Sequence, residues 1–242
     1  EPGLTVMPHL TCMGATREQI DALARDYWAA GVRNLLALRG DPPGGAGAEL
    51  PPTTEGQLAS ASELVRELSS IEPFNLFVAA YPEGHRENPG IAAEIENLKR
   101  KVEAGARGAI TQFFFDTDDF LRFRDRCATA GIDVPLVPGI LPIARVAQTL
   151  RFAQRCGARV PEWLRSRFEG LDEEPQTRSL LAAHTAIEQV QRLLRHGVRA
   201  FHFYTLNRAE LSVAICRAIG MQPGRMRQPV TAESRKSATA RP

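Results

Sequence analysis

The pattern that most constrains this chain is an alternation repeated six times. Short apolar runs at residues 4–12, 34–40, 75–81, 109–115, 134–140 and 201–206 are separated by stretches with helical spacing. The runs are nearly continuous in apolar residues, as strands buried on both faces are. Residues 17–30 carry Ile20, Leu23, Ala24, Tyr27 and Trp28 on one side of a helix, and Thr16 followed three residues later by Gln19 marks its start as a capping box. The joints recur as well. Ala30-Gly31-Val32, Ala104-Gly105-Ala106, Ala130-Gly131-Ile132 and His196-Gly197-Val198 each place a glycine where a helix ends and a strand follows.

Strand and helix in alternation predict parallel strands joined by right-handed crossovers, which leaves a barrel or a doubly wound sheet. The polar residues choose between them. Thr11, Arg39-Gly40-Asp41, Tyr81, Gln112-Phe113, Pro138-Gly139 and Tyr204-Thr205 fall at or just past the carboxyl ends of six different strands. A ring of loops over one mouth is how a (βα)8 TIM barrel builds its site, whereas an open sheet uses mainly the loops at its switch point. No G-x-G-x-x-G follows any strand, and Gly44-Gly45-Ala46-Gly47 reads as a flexible loop. About 220 residues for six units is roughly 37 per unit, and eight would need about 295. The expectation is therefore a barrel of which this chain carries six βα units, over residues 1–220.

Composition agrees with a globular α/β protein: of 242 residues, 43% are hydrophobic and 24% charged. The net charge of +2 gives little footing for nucleic acid, and no apolar run approaches the ~18 residues of a membrane span. Cys12, Cys127, Cys156 and Cys216 form no C-x-x-C pair and have no histidine at metal-ligand spacing, which points to reduced thiols, a cytoplasmic setting and no metal. Residues 221–242, rich in Arg, Ser, Thr, Pro and Ala, read as a disordered polar tail.

At the strand ends the chain resembles the bacterial-type methylenetetrahydrofolate reductases, flavin enzymes on a (βα)8 barrel. The segments that carry the resemblance are His9-Leu10-Thr11-Cys12, Ala37-Leu38-Arg39-Gly40-Asp41, Ala79-Ala80-Tyr81-Pro82-Glu83-Gly84-His85, Asn97-Leu98-Lys99-Arg100-Lys101, Thr111-Gln112-Phe113-Phe114-Phe115-Asp116, Pro138-Gly139-Ile140-Leu141-Pro142, and Phe201-His202-Phe203-Tyr204-Thr205-Leu206-Asn207-Arg208. Seven segments in register make a specific match.

The resemblance implies bound FAD as cofactor, with NADH or NADPH as electron donor and 5,10-methylenetetrahydrofolate as substrate. It assigns His9, Arg39, Gly40, Asp41 and Ala61 to the flavin, and Tyr81 and His85 to the ribityl and diphosphate part. Glu94, Asn97, Arg100 and Lys101 fall to the diphosphate and adenosine, and Gln112, Gln148, Phe152 and Arg208 to folate. Asp41 would lie near both flavin and folate and is the catalytic candidate. Phe152 would stack folate and nicotinamide in turn. The residue chemistry agrees with this, since two cations share a diphosphate charge and a glutamine offers both a donor and an acceptor to a pterin edge. The implied reaction reduces 5,10-methylenetetrahydrofolate to 5-methyltetrahydrofolate, a step that supplies methionine synthesis, and the resemblance also implies a homo-oligomer.

Two departures stand out. The family's acid is a Glu on the first barrel strand, with a helper Thr after the second, and both would precede the His9 segment, so the resemblance implies that the six units here are the third to the eighth strands. The loop after Asp41 is longer and richer in Pro and Gly than the family pattern, with Ser60 where an aromatic would precede Ala61. The first departure keeps a second reading open, a catalytically silent barrel that binds FAD or folate. A third is another flavin barrel oxidoreductase, such as a proline dehydrogenase-like enzyme, or a folate-binding barrel methyltransferase.

Away from the motifs the same residues have plain readings. Lys99-Arg100-Lys101 alone is a solvated helix face and Phe113-Phe114-Phe115 is core. His202 reads as a barrel-wall residue, His184 and His196 as solvated, and Tyr204 as either wall or ligand contact. Cys12 has no base near it in sequence, which argues against a nucleophile.

Overall fold

The computed structural model of the chain describes residues 4–45, 48–85, 90–143 and 145–221. Of the tail expected over 221–242, residues 222–242 lie outside this description. Among the described residues there are six strands: β1 (His9–Thr11), β2 (Asn34–Leu38), β3 (Asn75–Ala80), β4 (Gly108–Phe113), β5 (Leu136–Ile140) and β6 (His202–Phe203). They alternate with helices α1 (Arg17–Ala29), α2 (Ala61–Ile71), α3 (Ile91–Glu103), α4 (Thr117–Thr129), α5 (Val146–Cys156), α6 (Glu162–Phe168), α7 (Pro175–Arg195) and α8 (Ala209–Ala218). Every neighbouring pair of strands is parallel, and the order in the sheet is the order in the chain, β1 to β6. A doubly wound sheet would reverse direction at a switch point, so this order is that of a half-barrel.

Local signals act as the residues dictate. Thr16 and Gln19 form a reciprocal capping box at the start of α1, with the Thr16 backbone N–H donating to Gln19 Oε1 at 2.9 Å. Gly31, at φ +87°, turns the chain from α1 toward β2. The helix-facing side of the sheet (Leu35, Ala37, Leu76, Val78, Ala80, Ala109) packs against Leu64, Val65, Leu68, Ile95 and Leu98 in one continuous core. Phe77 alternates with these and projects to the other side, over Gly108, where a Cβ would sit 2.4 Å from the Phe77 ring. That aromatic fills the half-barrel's interior, and only glycine on the adjoining strand leaves room for it.

Two expectations change. The apolar runs at 4–12 and 201–206 yield only short strands. Leu4 and Val6 are exposed, and Pro8, which has no N–H to give, precedes the ladder at His9. The crossover from β5 to β6 is not one helix but three, because Gly157, Pro161, Gly170 and Pro175 break the helical stretch at α5, α6 and α7. The average of roughly 37 residues per unit therefore hides one crossover of about twice the usual length. Among the described residues no helix is long and apolar enough to cross a membrane.

Candidate active site

The carboxyl ends of β1 to β3 open into a cleft of about 450 Å³. Its walls include Arg39, Gly40 and Asp41 after β2, Ala61 at the start of α2, Tyr81 and His85 after β3, and Asn97, Arg100 and Lys101 on α3. Gly40 (φ +93°) lies close to β1, where a Cβ would be 3.1 Å from the Thr11 and Met13 side chains, so any other residue there would be crowded and strained in its backbone. Ser60, where the resemblance leads one to expect an aromatic, caps α2 by accepting a hydrogen bond from the Glu63 N–H at 3.2 Å. Tyr81 and His85 meet edge to face with centroids 4.5 Å apart, a contact fixed by the tight turn between them, in which the Gly84 N–H donates to the Tyr81 carbonyl.

Behind this wall sits a buried charge pair. Glu94 is fully buried and Lys101 is 5% exposed. Glu94 accepts from the Tyr81 backbone N–H and from Asn97 Nδ2, both at 3.2 Å, and Lys101 Nζ donates to the Ala79 carbonyl at 2.8 Å. Burial raises the Glu94 pKa and lowers that of Lys101, and each charge opposes the other's shift. Glu94 therefore lies behind the cleft and holds Tyr81 and Asn97 in place. Lys101 is no part of a solvated helix face: the third cation of the Lys99-Arg100-Lys101 run turns inward, because a carboxylate and a strand-end carbonyl wait there.

A second and larger cavity, about 1120 Å³, lies past β5 and β6 and is lined by Gln148 and Phe152 of α5 and by Arg208. Phe152 is half-buried, its ring stacked on Phe113 at 5.3 Å and 17°. Sequence reasoning missed the other cations of this wall, Arg145, Arg151, Arg155 and Arg178, which face Asp172 and Glu173. The signal was there: Gln148, Arg151, Phe152 and Arg155 recur at i, i+3, i+4 and i+7 and so share one helix face. It also missed two consecutive left-handed residues, Leu206 (φ +48°) and Asn207 (φ +59°), which turn the chain just before Arg208. Non-glycine residues in that conformation are uncommon and concentrate at functional loops.

Gln112 lines neither of these two cavities and stands at an irregularity in the β4–β5 ladder. There the Thr111 hydroxyl accepts from the Gly139 N–H at 2.9 Å, and Tyr204 Oη donates to the Thr111 carbonyl at 3.1 Å. A bulge of this kind re-aims the next side chain. Gln112, half-buried, accepts from the Phe113 N–H at 3.1 Å and keeps its amide N–H2 as a donor. Tyr204 is thus tied into the wall, and burial pushes its phenol pKa up. His202 packs edge-on against Tyr204, and burial first, then the charge of His9, lowers its pKa. His9 itself is exposed on β1 and does not line the cleft. Cys12 is buried and its thiol is pushed up to about 11 by desolvation, which removes it as a nucleophile.

The chain is similar to known proteins over most of its length. The family model described as methylenetetrahydrofolate reductase matches residues 1–220. The 5,10-methylenetetrahydrofolate reductases of Salmonella typhimurium and Escherichia coli are each 50% identical over 222 residues, covering 92% of this chain and 72% of theirs. Methylenetetrahydrofolate reductase (NADH) 1 of Arabidopsis thaliana is 36% identical and is matched over 38% of its length. Among solved structures, a Clostridium thermocellum protein that binds two copies of 5-methyl-5,6,7,8-tetrahydrofolic acid shares the fold at TM-score 0.56 and 17% identity, over 90% of this chain and 73% of that one. The chain belongs to the methylenetetrahydrofolate reductase family, oxidoreductases that form methyltetrahydrofolate.

Proposed function

We propose that the chain binds FAD in the cleft at the ends of β1 to β3 and, with NADH or NADPH as donor, reduces 5,10-methylenetetrahydrofolate held at Gln112, Gln148, Phe152 and Arg208. The observation that carries this reading is convergence. Nine positions that the resemblance assigns to the flavin, scattered from Arg39 to Lys101, line one cleft.

The residues fit the group. Arg100 presents an exposed cation for a diphosphate, and Arg39 adds a second positive group at the same mouth. Gly40, at φ +93°, lets the chain turn at the mouth beside Thr11, which lines the same cleft. The flavin, when bound, supplies the hydride chemistry. Asp41, exposed at the rim, puts a carboxylate where positive charge developing on the folate would be stabilised. Gln112 offers a donor to a pterin edge, and Phe152 offers the ring face that Phe113 leaves free. The oligomeric assembly and the eight-stranded closure that the resemblance implies belong to the same proposal.

The test is direct. Purified protein given FAD should acquire flavin absorbance near about 450 nm, and its absence ends the proposal. Gln112→Ala should slow oxidation of the reduced flavin by methylenetetrahydrofolate by about 10-fold or more while nucleotide-driven flavin reduction stays within about twofold, as expected when a contact to only one substrate is removed. Equal loss of both half-reactions would remove Gln112 from the folate site.

A further inference from the structure

The turn that carries Tyr81 and His85 has a second face. Glu83, between them in sequence, points away from the cleft, and its side chain is 14% exposed. One oxygen, Oε2, accepts a hydrogen bond from the backbone N–H of Arg159 at 2.9 Å. The other, Oε1, makes no hydrogen bond and has Arg159 Nε 3.5 Å away. The same guanidinium donates to Asp119 Oδ2 at 2.5 Å and lies 3.9 Å from Asp116. Asp119, in the first turn of α4, also accepts from Arg122 at 2.5 Å. One arginine thus bridges the β3–α3 turn and the start of α4.

Its position on the chain gives the bridge its meaning. Arg159 stands just past the end of α5, seven residues after Phe152. That end is closed by Gly157 in the left-handed conformation and by the Ala158 N–H donating to the Ala153 carbonyl at 2.9 Å. Ala158 is buried in the same cluster as Phe113, and Phe152 packs against that cluster. A capped helix with a packed terminus is stiff, so displacing Arg159 displaces Phe152. Among the described residues no group of His, Cys, Asp or Glu is arranged to hold a metal ion; Arg159 and Arg122 are the cations set against Glu83, Asp116 and Asp119.

We propose that Arg159 is a positioning residue: by clamping the Tyr81–His85 turn to α4 and to the end of α5, it sets the spacing between the cleft and the Phe152 ring. The inference rests on the proposed function, in which the cleft holds the flavin and Phe152 stacks the folate. An aromatic that stacks against a reacting ring system must be held to a fraction of an ångström, and a clamp at the far end of its helix is a way to do so.

The experiment compares wild type, Arg159→Met and Arg159→Lys in the full-length enzyme for flavin affinity, thermal midpoint, kcat and KM for methylenetetrahydrofolate. Arg159→Met should raise KM about tenfold while kcat stays within about twofold and flavin affinity within about threefold. Both variants keep the backbone donor to Glu83, but Arg159→Lys also keeps a cation for Asp119 and should recover most of the loss. An unchanged KM in Arg159→Met overturns the inference. So does a joint fall of kcat, flavin affinity and thermal midpoint that lysine fails to rescue, since that marks a purely structural role. A wild-type enzyme that takes up no flavin withdraws the functional reading itself, an outcome distinct from the other two.

Discussion

Two charge clusters meet at the end of β3 and treat their carboxylates in opposite ways. The Glu94–Lys101 pair is nearly solvent-free, matched one charge to one, and every charged end finds a backbone partner: the Tyr81 N–H for the acid and the Ala79 carbonyl for the base. The cluster around Arg159 is wetter and unbalanced, with Glu83, Asp116 and Asp119 sharing Arg159 and Arg122. The first can afford burial only because it is complete, as an isolated ion there would cost several kcal/mol (roughly, per charge). The second carries excess negative charge and answers to pH. Desolvation first, and then the charge of Asp119, push Glu83 up to about 6. One cluster is a static brace behind the cleft; the other is a joint between the two cavities.

Breaking the brace should have the largest effect. Lys101→Met leaves Glu94 buried without its counter-charge and should destabilise the protein by about 3 kcal/mol or more. For a chain of this size that lowers the thermal midpoint by roughly 6–12 °C. A loss below about 1 kcal/mol would mean that the pair is no more than a surface bridge.

Titrating the joint should have a smaller effect with a definite sign. The folded pKa of Glu83 lies above the ordinary carboxylate value, so the group favours the fold fully below about pH 4.5, and that contribution is lost as pH rises through about 6. The shift corresponds to about 2 kcal/mol. Glu83→Gln removes it, so the variant should gain roughly that much relative to wild type between about pH 4.5 and 7.5, measured as the difference between two denaturation curves. A difference independent of pH would show that Glu83 is not the titrating member of the cluster. The smallest effect belongs to Arg122→Ala. Its side chain is about half exposed, and the loss should stay within about 1 kcal/mol. A larger cost would place the joint's strength at Arg122 in place of Arg159.

Much of the architecture was legible because burial on both faces writes itself into strands as unbroken apolar runs, and a capping box such as Thr16–Gln19 is a local hydrogen-bond pattern with few alternatives. The cleft residues were legible from their motifs, whose members stand at the ends of different strands. The second cavity's arginines were legible in principle, since Arg151 and Arg155 share a helix face with Gln148 and Phe152. Other features had no local signal. Lys101 reads in sequence as one more cation of a surface run. That it is buried depends on Glu94 seven residues before it and on a carbonyl of β3, which only the fold brings together.

The sequence by itself determined the alternation of parallel strand and helix, the gathering of polar motifs at the strand ends, and the family to which the chain belongs. These are properties of periodicity and of short motifs, read along the chain at a range of a few residues. The tertiary structure decided which charges are sheltered, which carbonyl receives Lys101, and that Arg159 reaches across 76 positions to Glu83. Such choices rest on desolvation and on distances in space, and neither is defined until the strands have been laid side by side.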